Sequence, residues 1–96
     1  MTIVGLDPTS GPVDRSTDRR LAARPKSLVG EHLGVVVNGL GYCERFFDRL
    51  VDELLAHVDF GRVVKVVKPS VSVPPEPGDW SRLTEGATVA ITGFGG

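Results

Sequence analysis

The sequence predicts an α/β fold: a small parallel sheet of three strands in the order 2-1-3, with helices packed on it. Three observations carry this. Leu33 to Val37 and Arg62 to Lys68 are short valine-rich runs, the second containing Val63, Val64, Val66 and Val67. Continuous apolar runs of this length suit strands buried on both faces, as in parallel sheets. Between them, Glu44 to Val58 places Phe46, Phe47, Leu50, Val51, Leu54, Leu55 and Val58 at helical spacing, which makes one apolar face. Arg45, Asp48, Arg49, Asp52 and Glu53 fall on the other face, read as solvated.

The remaining elements follow in order. Asn38-Gly39-Leu40-Gly41 breaks the first run, and Asp59-Phe60-Gly61 ends the helix. Pro69 closes the second strand, and Pro74, Pro75 and Pro77 stiffen the loop before Asp79, a candidate N-cap. Trp80 to Leu83 is expected to form one helical turn. Glu85-Gly86 then turns the chain into a third strand, Ala87 to Thr92. Parallel crossovers are almost always right-handed, so the first strand should lie centrally. Residues 1–27 divide from this 28–96 α/β domain as an extended arm, because Asp7 to Lys26 is rich in Pro, Gly, Ser, Thr, Asp and Arg.

Composition limits the function classes. The chain has 96 residues, 41% hydrophobic and 24% charged, with net charge −1. That is one globular domain with no general attraction for nucleic acid or acidic membranes. No run reaches the roughly 20 apolar residues that span a bilayer. Met1 to Leu6 is apolar but lacks the basic start and length of a signal peptide. The single cysteine, Cys43, cannot form an internal disulfide. A cytoplasmic protein is the expectation.

In parallel sheets, ligands sit beyond the carboxyl ends of the strands. Three segments are expected there, and they supply the candidate substrate-binding residues: Asn38 and Gly39; Lys68 and Ser70; and Gly93, Gly95 and Gly96. Lys68 offers a positive charge and Ser70 a hydroxyl, suited to an anion. Gly39-Leu40-Gly41 resembles the start of a dinucleotide-binding turn, but Glu44 stands where the third glycine belongs. A tight turn is the preferred reading. Cys43, near a helix N-terminus, is the one candidate catalytic side chain, since the helix dipole favours a thiolate. Free cysteine is also a common small core residue, and that reading is preferred. His32 and His57 lack metal-ligand spacing with Cys43. No metal site is expected, and the residues name no cofactor.

Several stretches taken together resemble the UGSC-type (seleno)proteins, named for a selenocysteine- or cysteine-Gly-Ser-Cys motif. They are Arg20 to Leu28, Gly30, Leu33 to Gly39, Val66 to Ser70 and Ala87 to Gly95. Two departures stand out. Members carry an acidic residue and a lysine around the Asn-Gly after the first strand, where this chain has Val37 and Leu40. Members also continue from the Gly-rich end of the third strand into the reactive motif, which these 96 residues do not contain. The resemblance implies thiol or selenol chemistry on a small molecule, either redox or carbon–sulfur bond making and breaking.

The expected function is therefore that of a small subunit or processed fragment of a heteromeric enzyme. A companion chain would supply the nucleophile and the rest of the fold. The third strand should be an apolar sheet edge, and native proteins cover or pair such edges. Another chain, or another copy of this one, should provide that cover. Two alternatives stand beside this reading. One is a sulfur-carrier-like protein using Gly95-Gly96, although such folds begin with a hairpin and this sequence does not. The other is a non-catalytic binding subunit.

Overall fold

The computed structural model describes residues 2–6 and 20–93. Five elements occur among them: β1 (His32–Val37), α1 (Cys43–His57), β2 (Arg62–Val67), α2 (Pro77–Gly86) and β3 (Val89–Thr92). The strands form one sheet in the order β2-β1-β3, and both pairings are parallel. This is the expected α/β topology, with the first strand in the centre.

Successive side chains of a strand point to opposite faces, so β1 feeds two cores. Leu33, Val35 and Val37 pack with Cys43 and Phe47 of α1, and Leu50, Val51 and Leu54 close over them. On the other face, Val64 and Val66 of β2 meet Leu83 of α2, flanked by Val36 and Ala87. Val35, Val37 and Val66 are at most 1% exposed, and each such side chain contributes about 1.5–3 kcal/mol through burial. Gly34 sets the distance between α2 and the sheet. A Cβ added there would lie 2.8 Å from Leu83 Cδ1 and 2.9 Å from Ala87 Cβ.

α1 starts one residue earlier than its apolar spacing suggests, at Cys43. Its last turn closes with the Val58 N–H donating to the Leu54 carbonyl at 2.9 Å. α2 departs more from expectation. It is a ten-residue helix, not a single turn, and Glu76, not Asp79, is its N-cap residue. Pro77 occupies the first turn, where its fixed φ suits helix entry and its missing N–H costs nothing. Asp79 lies inside that turn and pairs with Arg82 at 3.0 Å. Arg82 also donates to the Lys65 carbonyl at 2.9 Å, tying α2 to β2. β3 is shorter than the expected Ala87 to Thr92, because Ala87 is the extended C-cap of α2.

The opposite face of β2 is tied to α1 by charge. Lys65 Nζ reaches Glu44 Oε1 at 2.7 Å and Asp48 Oδ1 at 2.8 Å. Hydrogen bonding to Asp48, then to Glu44, raises the Lys65 pKa above the ordinary 10.5, against a smaller opposing effect of desolvation. A raised lysine pKa in the folded state means the ammonium is favoured by folding. The stabilisation is fully present below about pH 10.5 and is lost as pH rises through the higher folded value. The lysine is one-third exposed and its partners more so, so solvent screening keeps the effect small. We expect urea midpoints of the native chain and of Lys65→Met to differ at neutral pH and to converge as pH rises above the lysine range. A difference that stays constant across that range would contradict the assignment.

Among the described residues, no helix is long and apolar enough to cross a membrane.

Candidate functional site

The carboxyl ends of the three strands converge, and backbone geometry brings the candidate residues together. β1 and β2 run in register to Val37 opposite Val67. The next bond continues the ladder: Lys68 N–H donates to the Val37 carbonyl at 2.8 Å. Asn38 and Lys68 therefore leave the sheet side by side, both half-buried. Gly39 then turns directly over the end of β2. Its φ is +75°, and a Cβ there would stand 2.5 Å from the Lys68 carbonyl oxygen. Only glycine fits both conditions. On the other side of β1, Gly93 N–H donates to the Val36 carbonyl at 3.4 Å, and Gly93 lies against the Phe47 ring.

The Lys68–Val73 loop has its own internal order. Lys68 Nζ donates to the Val71 carbonyl at 3.0 Å. Ser70 Oγ accepts from the Ser72 N–H, and the Ser70 carbonyl from the Val73 N–H, both at 3.4 Å. The lysine thus closes its own loop with one of an ammonium's three donors, holding a positive charge just beyond the carboxyl end of β2. Ser70 is exposed on the same loop. Gly95 and Gly96 lie outside the described residues.

Cys43 is 2% exposed and packs among Leu33, Val35, Val37 and Phe47. This burial supports the core reading over the nucleophilic one. His32 stands at the other end of the sheet, its Nδ1 3.2 Å from the Gly86 carbonyl. His57 is exposed in the last turn of α1. Among the described residues, no group of three or more His, Cys, Asp or Glu side chains could hold a metal ion.

The structure adds a feature that sequence reasoning missed. Leu40, Tyr42, Phe46, Val71, Val73 and Trp80 are all exposed, and all lie on the strand-end loops or the first turns of the two helices. Pro74, Pro75, Pro77 and Trp80 line an open apolar hollow of about 340 Å³. This end of the sheet therefore exposes apolar and aromatic side chains near Lys68, interspersed with the charged Glu44, Arg45, Glu76 and Asp79. The available signal was that Tyr42 and Trp80 fall off the apolar stripes that the helices need for packing.

The fold defines a class: a parallel α/β sheet covered by a helix on each face. A model of the UGSC family matches residues 4–96, and the chain belongs to that family. No curated protein and no solved structure matches it.

Proposed function

We propose that this chain forms the substrate-binding part of a UGSC-type thiol- or selenol-dependent enzyme acting on a small anionic molecule. The observation that carries the reading is the convergence of Asn38-Gly39, Lys68 and Gly93 through backbone bonds at one end of the sheet. In parallel α/β sheets that is where ligands bind. Lys68 supplies the charge for an anion, and Ser70 a hydroxyl beside it. Gly93, without a side chain, leaves room for close approach of a ligand or a neighbouring backbone. The nucleophile comes from outside these 96 residues, which contain no Cys-Gly-Ser-Cys. The segment that bears it meets the strand ends beside Gly93. Redox or carbon–sulfur chemistry is what the family resemblance implies for it.

The carrier alternative receives less support. Carrier folds open with a β-hairpin, whereas β1 here pairs in parallel with both neighbours.

Mercaptoacetate, a small anionic thiol, is a suitable probe. Titrated into the isotope-labelled chain, it should shift the amide resonances of Asn38, Gly39, Lys68, Ser70 and Gly93. Shifts confined to the other end of the sheet, around His32 and Thr88, or none at millimolar probe, would count against the reading.

A further inference from the structure

The functional reading leaves two apolar features unexplained, and they complement each other. The first is the outer edge of β3, which pairs with no further strand among the described residues. Its sequence is Val-Ala-Ile-Thr, with no charge. Ala90 and Thr92 are exposed, and Val89 and Ile91 are only half-buried. Beside the strand runs a groove of about 170 Å³ lined by Leu28, Leu33, Leu54, Phe60 and the β3 residues Val89, Ala90 and Ile91, without a polar side chain. The other edge strand, β2, carries Arg62 and Lys65 and is followed by Lys68. Charged side chains, lysine above all, are the usual protection of a terminal sheet edge. β2 has that protection and β3 does not, which marks β3 as a pairing edge.

The second feature is the arm. Ile3, Val4 and Leu6 are 87%, 83% and 95% exposed. Three large aliphatic side chains in four residues, two of them β-branched at Cβ, suit a strand and are costly to leave in water. Val4 and Leu6 would share one face of an extended segment, and Ile3 the other. A strand apolar on both faces matches an edge that is open on both faces. The family match also begins at residue 4, so it takes in Val4 and Leu6.

We propose that Thr2–Leu6 of one copy adds as a strand to the β3 edge of a second copy, with Val4 and Leu6 entering the groove and Ile3 lying over Ala90. Ile3, Val4 and Leu6 are exposed and none of them lines the groove, so the arm is available to a neighbour. Residues 7–27 could span up to about 70 Å if fully extended, so reach does not prevent the exchange. The exchange is reciprocal and gives a closed two-fold dimer. This inference does not depend on the functional reading: it concerns the sheet edge, not the carboxyl ends.

Sedimentation of the full chain tests it. The native chain should form a concentration-dependent dimer. Val4→Lys, a change on an exposed arm that leaves the folded body untouched, should weaken the dimer at least about tenfold, because a charged side chain cannot enter an apolar groove cheaply. A second measurement fixes the geometry. Mixing the single variants Val4→Cys and Ala90→Cys under oxidising conditions should link unlike copies, while the buried Cys43 stays out of the reaction. A native chain that stays monomeric would overturn the proposal, as would a Val4→Lys chain that dimerises like the native one. A disulfide that forms only within a single chain carrying both substitutions would overturn it as well, showing that the arm folds back on its own groove.

Discussion

Gly39→Ala should be the most damaging single-methyl change in the described part of the chain. Two costs add at that position. A φ of +75° costs a side-chain-bearing residue about 1–2 kcal/mol. The new Cβ would also meet the Lys68 carbonyl oxygen at 2.5 Å, a backbone atom that cannot swing aside as a side chain could. Relief requires the β1 and β2 ends to part, breaking the Lys68 N–H to Val37 bond. The sum is about 3–4 kcal/mol, a large share of the 5–15 kcal/mol typical of a domain. Gly41→Ala is the control. Its φ is +55° but a Cβ there meets nothing within 4 Å, so only the conformational cost applies. Urea unfolding of both variants checks this: equal midpoints would show that the close approach of Gly39 to Lys68 contributes nothing.

That juncture also shows what was legible in the sequence and what was not. The valine runs identified β1 and β2 because a strand buried on both faces has no polar alternation to confuse. α1 was legible because its apolar stripe repeats over four turns. The central position of β1 followed from crossover handedness, which made Asn38 and Lys68 neighbours before any coordinates. α2 was hidden because its start depends on Pro77 and not on a capping side chain, and its proline-rich approach reads as loop. Lys65 gave no local sign of its role, since Glu44 and Asp48 lie 21 and 17 residues away. The same holds for Cys43. Whether the first residue of α1 faces the sheet or the solvent depends on how the Gly39–Gly41 turn aims the helix, and residue types alone do not decide that. The exposed aromatic side chains were missed for a simpler reason. Periodicity accounts for apolar residues that pack, and Tyr42 and Trp80 do not.

Lys68→Ala should have the largest effect on chemistry with little effect on folding. The side chain's one bond is to the Val71 carbonyl on its own loop, worth about 1 kcal/mol. Its charge, by contrast, is the one the proposed crevice depends on. The direct measurement uses a chain carrying Cys-Gly-Ser directly after Gly96, where the family resemblance puts the reactive motif in sequence. Alkylation by iodoacetamide as a function of pH reports when that thiol ionises, and Cys43, buried in the core, serves as the unreactive internal reference. If the strand-end crevice is where the family's thiol works, the added cysteine should ionise below the roughly 8.5 of an unperturbed thiol. Lys68→Ala should return it to that value, and Lys68→Arg, which keeps the charge, should preserve the depression. An added thiol that titrates near 8.5 in all three chains, with all three folded, would contradict the central claim that this end of the sheet is built to act on a thiolate and its anionic substrate.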